Sequence, residues 1–162
     1  MRLQTVLLGC GLLLSTVTMA QSQPLKGKFD MKQLVNDSSY AWFHTGINRY
    51  NANATMVNYI KSNKDKIQLV ALVNPSEEAS RTLLSEFYKV MILASVPEES
   101  IHMYAVDGSG ATGDAKADGY KVKKFPAIIV VRDGKEAGRI SGAAQNKVED
   151  DLAQILMKMN AK

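Results

Sequence analysis

Phe125-Pro126-Ala127-Ile128-Ile129-Val130-Val131-Arg132-Asp133-Gly134-Lys135-Glu136-Ala137-Gly138-Arg139-Ile140 is the stretch that decides the fold. Ala127 to Val131 is a β-branched apolar run, the composition of a strand buried on both faces. Asp133-Gly134 is a two-residue hairpin signal, because both central positions of the tight primed turn need a positive φ. Glu136 to Ile140 then returns as the partner strand. Downstream, Val148, Leu152, Ile155, Leu156 and Met159 recur at helical spacing. Glu149, Asp150 and Asp151 fall early in that helix and Lys158 late, as the helix dipole favours.

Upstream, Ile67 to Val73 reads as a second buried strand. Asn74-Pro75-Ser76-Glu77 then opens a helix, with Asn74 as N-cap, Pro75 at the first position and Glu77 at the third. Leu83, Leu84, Phe87, Tyr88 and Met91 form its apolar stripe, and Pro97 ends it. Ile101 to Val106 makes another strand. The glycine-rich Gly108 to Gly113 is expected to be a flexible connection to a short helix near Asp114 to Tyr120. No Gly-Lys-Ser/Thr follows those glycines, so they do not spell a phosphate loop. The order from Ile67 onward is βαβαββα, the pattern of an α/β domain with a mixed central sheet.

Before that core, Phe29 to Val35 suggests a short helix. A helix through Lys61, capped by Asn51 or Asn53, buries Met56, Val57, Tyr59 and Ile60. Gln21 to Lys28, with Pro24 and Gly27, reads as a flexible lead-in. The expected organisation is 1–20 signal peptide, 21–28 lead-in, 29–66 helical extension and 67–162 core. The leader carries Arg2, an apolar run from Val6 to Leu14, and small residues up to Thr18-Met19-Ala20 before Gln21. The run is too short to span a bilayer. Leu7-Leu8-Gly9-Cys10 offers lipidation at Cys10 as the alternative, although Gly11 to Leu14 continues apolar past the cysteine. Either route implies export, to a periplasm or the outside.

With Arg2 removed from 20 basic and 16 acidic side chains, the net charge is +3, too mild and dispersed for nucleic acid. Asn36 and Asn53 stand in glycosylation sequons, which arise often by chance. His44 and His102 are the only histidines, far apart and without an acidic cluster, so no metal site is expected. His102, between Ile101 and Met103, points to the opposite face from both. Lys121, Lys123 and Lys124 read as a solvated run, with an acidic partner as the alternative. Trp42, Phe43 and Tyr50 either pack the front helices against the sheet or form an aromatic docking surface.

The βαβαββα order, Phe125-Pro126 leading a strand, the glycine-bearing hairpin and the final helix together resemble the C-terminal half of a thioredoxin-like protein. The resemblance covers Ile67 to the C-terminus. The front segment, with Trp42-Phe43 and Tyr50, is similar to the lead region of exported bacterial thioredoxin-like proteins. It implies a three-layer sandwich with an N-terminal helical extension, and a cis-proline at Pro126. In that family a Trp-Cys-x-x-Cys motif opens the helix after the first long core strand. Here the turn reads Ser76-Glu77-Glu78-Ala79-Ser80, and Glu77 and Ser80 stand where the cysteines would. Cys10 is the chain's single cysteine. Disulfide exchange needs a thiolate, which neither Ser nor Glu supplies.

Glu77 and Glu78 read as helix-terminal acids rather than an acid–base pair, since the helix field favours ionising both. The expectation is therefore a non-catalytic binding or accessory protein without cofactor. A protein or extended peptide would pair with the groove formed by Ser76, Glu77, Glu78, Ser80, Lys124, Phe125, Pro126 and Ala127, since backbone pairing needs no cysteine. The rivals are a redox-family member acting through a cysteine-bearing partner, and a structural subunit of an envelope assembly.

Overall fold

The computed structural model describes residues 25–161. The expected leader 1–20, its cleavage point at Ala20, Cys10 and the first part of the 21–28 lead-in lie outside the described residues. Five strands, β1 (Gly27–Phe29), β2 (Gln68–Val73), β3 (Ile101–Ala105), β4 (Ala127–Arg132) and β5 (Lys135–Ser141), form one mixed sheet in the order β1-β3-β2-β4-β5. The helices are α1 (Met31–Val35), α2 (Ala41–Arg49), α3 (Ala54–Lys61), α4 (Glu78–Ala94), α5 (Ala115–Asp118) and α6 (Val148–Asn160). The result is a mixed α/β sandwich. Among the described residues no helix is long and apolar enough to cross a membrane.

Strand alternation divides the core in two. Leu69, Ala71 and Val73 of β2, Met103 of β3 and Ile128 and Val130 of β4 face one side, with Leu84 and Phe87 of α4 and Leu152 and Leu156 of α6. Val70, Leu72, Tyr104, Ile129 and Val131 face the other, joined by Ala117 of α5 and by Val122 and Phe125. Only β2 and β3 run parallel, with Leu69 opposite Ile101. Their chain exits therefore lie at the same end of the sheet.

The hairpin forms as read: Asp133 and Gly134 sit at φ 50° and 73°, and Arg132 pairs with Lys135. Gly134 takes the left-handed conformation without a Cβ penalty. Helix α4 closes at Ser95, which adopts φ 52° while Val96 N–H donates to the Met91 carbonyl at 3.0 Å. That turn ends the helix three residues earlier than Pro97.

Three expectations are corrected. Gly27 and Lys28 do not belong to a flexible lead-in, and Phe29 does not start a helix. All three pair antiparallel with β3, against Ala105, Tyr104 and Met103, because β3 otherwise ends the sheet with unpaired backbone. Asn74 does not cap α4, and Pro75 and Glu77 do not lie in its first turn. Glu77 is extended, at φ −97° and ψ 136°, and its N–H closes a tight turn onto the Asn74 carbonyl at 2.9 Å. The Asn74 side chain accepts from Ser76 N–H at 3.1 Å, which satisfies the backbone before the helix begins. The connection after β3 is cross-tied: one Asp107 oxygen accepts from Ser109 and Ala111, and Thr112 bonds Asp118. Glu149 lies in the first turn of α6 as expected. It is fully buried beside Leu152 and Ala153.

Candidate functional site

Parallel β2 and β3 deliver Asn74 and Val106 to one edge, where Val106 N–H donates to the Val73 carbonyl at 2.8 Å. Clefts outside the carboxyl ends of parallel strands are recurrent ligand positions. Here that edge opens into a cleft of about 570 Å³, with Pro75 and Ser76 on one side, Asp107 and Gly108 on the other, and Trp42 and Arg81 behind. Ser109 lowers the Asp107 carboxyl below the usual range by donating from its hydroxyl and then its N–H, so this acid is already committed. Lys26 also lines the cleft.

The residues at the positions of the missing cysteines are tied into the turn. Ser80 is fully buried, and its hydroxyl accepts from Asn74 N–H at 3.0 Å. Glu77 is exposed and accepts from the Asn74 side-chain amide at 3.0 Å. Of the other groove candidates, Ser76 and Glu78 are exposed, as is Lys124, while Phe125 is half-buried. Pro126 and Ala127 are buried, so a bound chain could meet only their neighbours. The Phe125–Pro126 peptide is cis. The Pro126 carbonyl accepts from Gly142 N–H at 2.7 Å, tying the entrance of β4 to the end of β5. Leu72 pairs with Ala127, which brings the loops after β2 and before β4 side by side. Ser76 and Phe125 nevertheless line different depressions: Phe125 borders a smaller one beside Gly110, Thr112 and Lys121.

The aromatic cluster divides. Phe43 is fully buried and packs on Tyr88 of α4 at 5.5 Å, within the core cluster that includes the sheet's Leu69 and Ile128. Trp42 and Tyr50 are half-buried and line a second cleft of about 600 Å³ between α2 and α4. Contacts fix how these helices run. Trp42 lies under the Arg81 guanidinium, 5.5 Å from ring centroid to charge. One turn further along each helix, Gly46 abuts Ser85, where a Cβ on Gly46 would come within 2.5 Å of the Ser85 side chain. The two helices therefore lie parallel, and glycine is what allows the approach. Arg81 is held by a hydrogen bond from Nε to the Pro75 carbonyl at 2.6 Å. Arg81 and Trp42 form a wall shared by both clefts.

The far end of the second cleft rests on Glu149. Its carboxylate accepts from the Tyr50 hydroxyl at 2.7 Å and from Asn53 N–H at 2.5 Å. Burial, then the Glu149 hydrogen bond, pushes the Tyr50 phenol far up. Glu86, half-buried on α4, is also raised, by burial and then by the Glu149 charge. Sequence reading missed this network. The signal was present, since 149, 152, 153 and 156 share one helical face.

His44 is exposed, with Nε2 3.2 Å from the Val35 carbonyl. His102 is half-buried on β3, away from Met103, and burial followed by Lys28 and Lys116 lowers its pKa. Among the described residues no group of three His, Cys, Asp or Glu is placed to hold a metal.

No family model matches the chain. No curated protein matches it either. Among solved structures, it is similar to a protein of unknown function from Pseudomonas aeruginosa, 9% identical with a TM-score of 0.59, over 83% of this chain and 93% of that one. A designed protein aligns at 17% identity and a TM-score of 0.41, over 63% of this chain and 84% of that one. The first likeness is one of fold alone.

Proposed function

We propose that this chain is an exported, thioredoxin-like binding protein without thiol chemistry, which holds an extended polypeptide at the carboxyl edge of β2 and β3. The observation that carries this reading is the 570 Å³ cleft at that edge, on a turn whose two cysteine-equivalent positions are Glu77 and a buried Ser80. The thioredoxin-like assignment is supported by the element order from β2 onward, by the sheet order, and by the cis Phe125–Pro126 bond at the entrance to β4. Absence of thiol turnover follows from sequence: Cys10 is the single cysteine, and the leader that carries it is removed on export in this reading. The exposed Ser76 to Glu78 turn and Lys124 flank the path of the bound chain. The Lys124 stem lies against Gly142, where a Cβ would come within 2.6 Å of Lys124 Cε, so its ammonium is held at this edge.

Isothermal titration of the mature chain with reduced, carboxymethylated α-lactalbumin, an unfolded polypeptide, tests the proposal. Binding is expected, weakened at least fivefold by Ser76→Arg and less by Lys124→Glu, both on exposed side chains. Binding indifferent to both substitutions overturns the placement. Turnover of insulin disulfides by the mature chain overturns the non-catalytic assignment.

A further inference from the structure

The cleft between α2 and α4 is not required by the strand-end reading, and its charges are unusually ordered. At one end stands Arg81, whose Nε donates to the Pro75 carbonyl while its Cζ lies over the Trp42 ring. Its two Nη groups have no acceptor among the described residues, and a guanidinium is suited to a carboxylate fork. Lys26 adds positive charge on the neighbouring cleft wall. At the other end stands half-buried Glu86, which has no hydrogen-bond or ion-pair partner among the described residues. The buried Glu149 is near enough for its charge to be felt at Glu86. Glu78 and Arg49 carry the opposite signs at the two ends, but both are exposed and water screens them more strongly than their half-buried neighbours.

We propose that this groove binds an extended polypeptide through an acidic side chain at Arg81 and a basic side chain at Glu86, two residues apart in the bound chain. Arg81 and Glu86 both line this cleft and are five residues apart on α4, about 7.5 Å along its axis, so one extended chain can reach both. Alternate side chains of an extended strand repeat at about 6.7 Å on one face. A polypeptide fits better than a compact small molecule because the two clefts adjoin at Trp42 and Arg81, a combined length that an extended chain can follow. Half-buried Trp42 adds an apolar wall at the acidic end of the bound chain. This inference rests on the reading of the protein as a polypeptide binder and names the chemistry of its second groove.

Trp42 is the only tryptophan in the sequence, so its fluorescence reports on the wall that the two clefts share, and the charge variants assign the signal to this groove. The probes are capped heptapeptides of alanine carrying Asp-Ala-Lys, Asp-Ala-Asp or Lys-Ala-Lys at the centre. The mature chain is expected to bind the dipolar peptide at least fivefold more tightly than either like-charged one. Glu86→Lys should invert the ranking in favour of Asp-Ala-Asp, and Arg81→Glu in favour of Lys-Ala-Lys. Far-UV circular dichroism of each variant verifies folding, and exposed Thr82→Phe, which fills the groove without altering charge, should weaken all three peptides. Equal binding of the three peptides, no binding, or a ranking unchanged in folded Glu86→Lys overturns the inference. Carboxymethylated α-lactalbumin that still binds Thr82→Phe but not Ser76→Arg separates failure of this groove from failure of the strand-end cleft.

Discussion

One face of the sheet is covered by five helices, α1, α2, α3, α4 and α6, and the other by the single turn of α5 and the chain around it. The thick face holds its order by burial. Phe43, Phe87, Leu84, Leu152 and Leu156 are each at most 1% exposed. Each such side chain contributes about 1.5–3 kcal/mol relative to exposure. The thin face also buries Leu72, Ile129 and Ala117, but its cover is a four-residue helix that does not stabilise itself. It is held by local side-chain bonds instead: Asp114 accepts from Lys116 and Ala117 N–H, and Thr112 bridges Asp114 and Asp118. The lesson is that a sheet needs both faces dry, but the two covers can rest on different physics.

The comparison breaks most visibly at Phe43. Phe43→Ala empties a site between α2 and α4 and should cost about 3–5 kcal/mol in chemical denaturation. A loss below 1 kcal/mol would mean the helical layer does not depend on it. Next is Glu149→Ala, which strands the Tyr50 hydroxyl and Asn53 N–H and should cost about 2–4 kcal/mol, with Glu149→Gln smaller because an acceptor remains. Equal losses for both variants would point to the charge rather than the hydrogen bonds.

On the thin face, Thr112→Val keeps the shape but removes the hydroxyl that donates to Asp118 at 2.8 Å and accepts from Asp114 N–H at 3.0 Å. A loss of about 1–2 kcal/mol is expected, larger than typical for a loop position. The smallest effect is in pH dependence, where the faces should differ in sign. Glu86 is raised in the fold, so the folded state binds more protons, and stability falls as pH climbs from 4.5 through the folded pKa. His102 is lowered, so the folded state binds fewer, and stability falls as pH drops below 6.5 through the folded pKa. Glu86→Gln should flatten the first slope only and His102→Gln the second only, read from denaturation midpoints across pH 4–8. A shared slope in both variants would end the contrast.

Much of this was legible without coordinates. The Asp133-Gly134 turn, the runs that became β2 and β4 and the stripes of α4 and α6 each carry a local signal strong enough to stand alone. Others carry none. Gly27 to Phe29 is too short for any period, and it is a strand because β3 presents an open edge. Asn74 to Glu77 has the composition of a helix start, yet the Asn74 side chain and Ser80 satisfy that backbone in a turn instead. Trp42 and Phe43 are neighbours in sequence that both meet α4 but differ in burial: a helix turns about 100° per residue, so Phe43 is enclosed against Tyr88 while Trp42 stays at the cleft under Arg81.

By itself, the sequence determined the run of strands and helices, the hairpin, and the single cysteine confined to the first twenty residues, because periodicity, turn chemistry and composition are properties of short segments. Only the tertiary structure decided which helix lies beside which, and so brought Arg81 over Trp42, Gly46 against Ser85 and Glu149 under Tyr50. Those pairs lie 39 to 99 residues apart. Contacts at such range are set by how apolar faces share one core, and no local stretch records that.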